Sequence, residues 1–228
     1  MKKWNKRPKI TTNDNYFWLL IALLVLFFFS ALFEQLGSEL LSRLMGVMLT
    51  TIILVAVWSI ERLSHPLFSR VGITVLLLII VAAEYIFEHY SMALLQLITI
   101  LAFTVMTIVI ASKQVLLSGR VDSNKIVGAI CIYMLLAVAW AMGYLLVDHI
   151  FPGSLPALEG ADWRDDMQKA VYYSFVTITT LGFGDISPAQ PLARYLTYLE
   201  AVTGQFYIAI LVASLIGVKL SAGNPADK

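Results

Sequence analysis

Charge is scarce in this chain. Only 14% of its 228 residues are Asp, Glu, Lys or Arg, while 59% are hydrophobic. A soluble domain needs more polar residues to cover its surface, so a water-soluble globule is excluded. Cysteine is nearly missing. Cys131 stands alone in an apolar run, forms no internal disulfide, and reads as a packed, inert thiol. His65 and His149 stand at the ends of apolar runs in no metal-ligand pattern. The sequence also lacks a Ser/His/Asp arrangement and a phosphate-binding loop, so no enzyme and no cofactor is expected. No small-residue cleavage site follows the first apolar run, which makes that run a retained span. Internal repeats, low-complexity segments and soluble domains are not visible.

What the chain has instead is long apolar runs. Six of them, at 16–33, 40–60, 71–87, 92–111, 126–150 and 198–220, approach or exceed the roughly 20 residues a helix needs to cross a bilayer. An open sheet leaves backbone groups unpaired in hydrocarbon, so the runs are expected as helices. With the N-terminus in the cytoplasm, Lys2, Lys3, Lys6, Arg7, Lys9, Arg62, Arg70, Lys113, Arg120, Lys125, Lys219 and Lys228 fall inside. Only Arg43, Arg164, Lys169 and Arg194 fall outside. Cytoplasmic loops carry the excess of basic residues, and adding or removing one span would spoil that division. Trp4, Trp18, Trp58 and Trp163 suit interface anchoring or packing. The expected place is the cell membrane, as a multi-pass protein with both termini cytoplasmic and lipid around it.

The connection between the last two runs is unlike the others. Pro152, Gly153, Pro156 and Gly160 mark an exposed loop. Asp162 then suits a helix N-cap, and Asp165 and Asp166 suit the positive end of the helix dipole. The helix would run through Tyr172, Tyr173, Phe175 and Val176 to about Thr179, too short to cross a bilayer. Such a segment enters part-way and returns as extended backbone, which must be buried in protein or line a watery path.

The returning segment reads Thr177-Ile-Thr-Thr-Leu-Gly-Phe-Gly-Asp185. It resembles the potassium-channel signature Thr-x-Thr-Thr-x-Gly-(Tyr or Phe)-Gly-Asp at every specified position. Arg194 follows Asp185 by nine residues and Gly204 follows Arg194 by ten, a spacing similar to that of simple bacterial potassium channels. The stretch from Leu199 to Ala213 is similar to their inner helix. The resemblance is strong over about 126–220; the first four runs match a six-span channel only in number.

That resemblance implies backbone carbonyls that replace the water around K+. Thr180, Leu181, Gly182, Phe183 and Gly184 would form the selectivity filter, with K+ held at Thr180, Leu181, Gly182 and Phe183. Thr180 would give both its carbonyl and its hydroxyl to the innermost position. Leu181 would point away from the ion into packing, and Asp185 would sit at the outer rim. Gly182 and Gly184 would supply backbone dihedrals closed to other residues. Thr179, Asp185, Tyr172, Tyr173 and Glu200 would support the filter. For Glu200 two readings stay open: a bond to the back of the filter, or a side chain that snorkels to the interface. Gly204 is a gating hinge or a site of close helix packing; for Gly217 packing is favoured. The C-terminal end of the short helix would turn its partial negative charge towards the ion path.

Three departures from the family stand out. Phe183 replaces the commoner tyrosine and lacks its hydroxyl. Tyr172 and Tyr173 stand where the cuff around the filter is often tryptophan. Val176 occupies the position where some relatives place a glutamate that pairs with the rim acid. The fourth run carries no arginine, and an uncharged span senses almost no voltage. Glu84, Glu88 and His89 form either a solvated helix end or a proton-sensitive or cation-binding face.

The expected fold is therefore an all-α membrane protein of six transmembrane helices, with a re-entrant pore helix and filter between the last two. Its expected divisions are a basic segment at 1–15, a four-helix domain at 16–111, a pore domain at 126–220 and a short tail at 221–228. That tail is too short for a nucleotide-binding or calcium-binding regulatory domain. One filter segment per chain implies a homotetramer, conducting K+ passively and selectively, with no nucleic acid as partner. A poorly selective cation channel, a carrier and an accessory subunit are the alternatives.

Overall fold

The computed structural model describes residues 15–36, 90–116, 123–159 and 163–222. The runs expected at 40–60 and 71–87, the basic N-terminal segment, Asp162, Glu84, Glu88 and His89 lie outside the described residues, as do the surroundings of Gly217. Within the described residues all regular structure is helical. It forms α1 (Asn15–Leu36), α2 (Tyr90–Leu116), α3 (Ser123–Ile150), α4 (Trp163–Ile178) and α5 (Pro191–Ala222).

Among the described residues, three stretches are long and apolar enough to cross a membrane: Leu94–Val115 in α2, Asn124–Ile150 in α3 and Pro191–Ser214 in α5. In α1 the apolar stretch Tyr16–Leu32 is shorter. These helices correspond to the first, fourth, fifth and sixth apolar runs of the sequence. The main difference is at the start of α5, which begins at Pro191 rather than at 198. A proline is preorganised for the first position of a helix, where its missing N–H is not needed. The first two turns carry Arg194 and Thr197 among apolar residues and still belong to the apolar stretch Pro191–Ser214.

α3 lies at the centre and packs against all four other described helices. Its face towards α1 and α2 buries Ala129, Cys131, Ile132 and Leu135 against Tyr16, Leu19, Leu23, Ala111 and Val115. Its opposite end buries Val138, Ala141, Met142, Tyr144 and Leu145 with Trp163, Met167, Ala170, Val171 and Tyr173 of α4. The Cys131 thiol is fully buried and donates to the Tyr16 carbonyl at 3.5 Å, as a packed thiol should. The second half of α5 behaves differently. Phe206, Ile208, Ile210, Val212 and Ile216 are all exposed on the single chain. A helix apolar on its outer faces belongs in lipid or against other chains.

Polar bonds tie the short helix α4 into this frame. Ser30 of α1 bonds Gln168, and Arg164 donates to Gln96 of α2 at 2.6 Å. Asp165 and Asp166 stand in the first turn of α4, where acids complement the helix dipole. Asp166 also pairs with Lys169 at 3.1 Å. The loop between α3 and α4 is joined to the segment after residue 185 where the Ala189 N–H donates to the Ser154 carbonyl at 2.9 Å. α4 is thus anchored to α1 and α2, and the segment after it to the loop that follows α3.

Candidate ion-conduction site

The site starts where α4 stops. The last four carbonyls of a helix lack intrahelical partners, and here all four are taken. Phe175 accepts from the Thr179 N–H at 3.2 Å and from the Thr179 hydroxyl at 2.6 Å. Val176 accepts from the N–H groups of Leu181 at 2.9 Å and Gly182 at 3.2 Å. Thr177 accepts from the Thr180 N–H at 2.9 Å. Ile178 accepts from the hydroxyl of Tyr133 on α3 at 2.9 Å. The bonds to Thr177 and Val176 form a Schellman cap, which needs a left-handed residue between helix and exit.

That left-handed residue is Thr180, with φ 59°. Glycine normally takes this position, because a Cβ there meets the following carbonyl at about 1–2 kcal/mol. A β-branched residue in this region is a backbone outlier, and strain of this kind collects at functional sites. Gly182 and Gly184 are also left-handed, at φ 58° and 81°. Left-handed dihedrals therefore recur at every second residue from 180 to 184. In an ordinary strand every φ is negative and successive carbonyls alternate sides. Reversing φ at alternate residues turns alternate peptide planes over and brings successive carbonyls towards one side.

The segment itself is open. Thr180 to Asp185 are all exposed, with Leu181 at 57% and Phe183 at 65%. Leu181 was expected to pack, but its own chain does not cover it. At the inner end, Gln205 of α5 donates to the Thr180 hydroxyl oxygen at 3.2 Å. At the outer end, the Tyr172 hydroxyl donates to Asp185 at 2.6 Å. That bond holds the Asp185 carboxyl below the usual carboxylate range and pushes the Tyr172 phenol up. The rim acid thus takes its partner from Tyr172, four residues before Val176. Arg194 donates to the Pro188 carbonyl at 3.1 Å and closes the outer loop.

The expected supporting residues divide. Tyr172 reaches the segment at 180–185 through Asp185. Tyr173 does not: it is buried, its hydroxyl is 2.7 Å from the Thr197 hydroxyl, and its ring stands edge-on to Tyr144. Glu200 is fully buried, and its carboxyl oxygens bond Tyr144 of α3 and Ser174 of α4 rather than the segment at 180–185. Its burial rules out a side chain that snorkels to the interface, and its bonds join α3, α4 and α5. Gly204 is buried where α5 crosses the end of α4, and a side chain there would run into the Ile178 carbonyl oxygen. Close approach explains this glycine, and α5 continues through it as helix.

Four residues escaped the sequence reading: Tyr133, Tyr144, Ser174 and Gln205. Each is a polar residue inside an apolar stretch, which was the available signal. Their partners lie on other helices or, for Gln205, on the segment after α4, and sequence spacing does not pair such elements.

Comparison with known proteins adds to this geometry. Residues 128–218 match the model of a family described as ion channel. Over 86 residues, 37% of this chain, the sequence is 28% identical to a rice (Oryza sativa subsp. japonica) protein named two pore potassium channel c. The matched part is 19% of that protein, so the chain spans a small part of the relative's length. No solved structure matches the chain. The matched region begins in α3 and ends in α5, and so contains the whole site. It is similar to ion channels and not to enzymes.

Proposed function

We propose that this chain is one subunit of a potassium-selective channel that conducts K+ passively across the cell membrane. The observation that carries the reading is the left-handed backbone at Thr180, Gly182 and Gly184, within a sequence that repeats the potassium-channel signature. One such segment cannot surround an ion, and four around an axis can. The exposed Leu181, Phe183 and outer face of α5 suit that assembly, because neighbouring subunits would cover them. In it, the carbonyls of Thr180, Leu181, Gly182 and Phe183 hold K+, with Gly184 at the outer mouth.

The name of the rice relative, a two pore potassium channel, supports K+ as the ion. In the full architecture six helices cross the membrane, with both termini in the cytoplasm. Voltage dependence is weak or absent, because the span Leu94–Val115 of α2 contains Lys113 near its end and no other basic residue. One charge crossing the membrane gains about 2.3 kcal/mol per 100 mV, and this span offers almost none to move. Gly204 would serve gating only by letting α5 tilt away from Ile178.

The test is a planar bilayer containing the purified protein, with K+ on one side and Na+ on the other. A reversal potential set by the K+ gradient supports the proposal. A reversal near zero would show a poorly selective cation channel, and turnover without unitary currents would show a carrier.

A further inference from the structure

Glu200 has no exposed surface, and three oxygen–oxygen contacts meet at or beside its carboxyl group. The Tyr144 hydroxyl lies 2.6 Å from Oε2. The Ser174 hydroxyl bonds Oε1. The same Ser174 oxygen lies 2.6 Å from the Ala137 carbonyl oxygen. Each contact requires one proton between its two oxygens. A hydroxyl brings one donor and a carbonyl brings none. Tyr144 supplies the first proton. Ser174 has one proton for two contacts, and the Ala137 carbonyl can only accept, so the serine proton goes there.

The remaining contact, between Ser174 and Glu200, then lacks a proton unless Glu200 carries it. If Ser174 donated to a carboxylate instead, its oxygen would face the Ala137 carbonyl lone pair to lone pair at hydrogen-bonding distance. No basic side chain among the described residues bonds Glu200 in compensation. The titratable groups that face it are phenols: Tyr133 and Tyr144 from α3, and Tyr173 from α4. An unpaired buried charge is far more costly than a neutral, fully bonded acid.

We infer that Glu200 is a neutral carboxylic acid that donates its proton to Ser174, and that this proton positions the pore helix. Its effect on conduction rests on the channel reading above. Glu200 belongs to α5, Ser174 to α4, and Tyr144 and Ala137 to α3, so one proton closes a junction of three helices. Ser174 lies six residues before Thr180, on the helix whose last carbonyls cap the filter segment. Loss of the proton takes away the donor to Ser174 and leaves a bare charge among phenols and apolar side chains. Raising the pH therefore unlocks the helix and reduces current.

The test compares the full-length protein with Glu200→Gln, whose amide keeps a donor for Ser174 and an acceptor for Tyr144 at every pH. The infrared spectrum of wild type shows the carbonyl stretch of a protonated carboxyl, shifted in D2O, and E200Q lacks that band. Potassium flux from proteoliposomes falls at least about tenfold in wild type across a neutral-to-alkaline series, the factor expected for one lost buried hydrogen bond. E200Q stays within about twofold of its neutral value, well under the effect of one such bond. A wild-type spectrum in which no protonated carboxyl depends on residue 200 overturns the inference, and so does an E200Q profile that follows wild type. Should E200Q fail to assemble, Ser174→Ala removes the acceptor of the proton and must shift the band; an unmoved band also overturns the inference. If the band is present but wild type passes no K+, the channel reading fails and the protonation stands.

Discussion

Replacing Gly204 with alanine separates packing from hinge by the sign of a stability change. A methyl group at 204 would run into the Ile178 carbonyl oxygen and come within 2.8 Å of Ile178 Cγ1. That carbonyl cannot swing aside freely, because Tyr133 holds it at 2.9 Å. The helices must move apart, and overpacking of this kind costs about 1–3 kcal/mol. Exchanging glycine for alanine inside a helix returns roughly 0.5–1 kcal/mol. The net expectation is a loss of about 0–2.5 kcal/mol, centred near 1 kcal/mol, a factor of roughly 5 in the folding equilibrium. A glycine kept only for bending would give the opposite sign, since the alanine helix is stiffer and more stable. Thermal and denaturant unfolding of purified wild type and G204A in the same detergent measure the difference. A variant more stable than wild type would refute the packing argument.

Three further outcomes follow from the site. Thr180→Gly relieves a left-handed threonine and should fold at least as well, with a gain of roughly 1 kcal/mol. It should nevertheless conduct K+ poorly for want of the hydroxyl, and unchanged currents would remove that hydroxyl from the ion path. Tyr172→Phe deletes the bond that holds Asp185 below the usual carboxylate range. Asp185 is then protonated at a higher pH, so inhibition by acid on its side of the membrane should begin at a higher pH than in wild type; coincident acid profiles would contradict this. Tyr133→Phe leaves the Ile178 carbonyl without its cap, a loss of about 1–3 kcal/mol for an unpaired buried acceptor, and an unchanged unfolding midpoint would contradict it.

The sequence revealed most where the physics is local. Hydropathy placed α1, α2, α3 and most of α5, since crossing a bilayer imposes length and composition together. The Thr-x-Gly-x-Gly segment at 180–184 pointed to the proposed filter because such a site depends on backbone dihedrals that few residues allow. It did not reveal that Thr180 itself is left-handed, because a threonine gives no sign of it. The start of α5 at Pro191 was missed because Arg194 and Thr197 interrupt the apolar run there. Contacts between helices were least legible. Glu200 was visible as an acid within a span, but its partners Tyr144 and Ser174 lie 56 and 26 residues away. Tyr172 and Tyr173 are neighbours in sequence with opposite fates, because adjacent residues on a helix point about 100° apart.

The most direct measurement is an electron cryomicroscopy map of the purified protein in K+ and, separately, in Na+. The account predicts four copies around one axis, with density on that axis level with the carbonyls of Thr180, Leu181, Gly182 and Phe183 in K+ and altered in Na+. Filter segments that face lipid or lie apart from a common axis would contradict it.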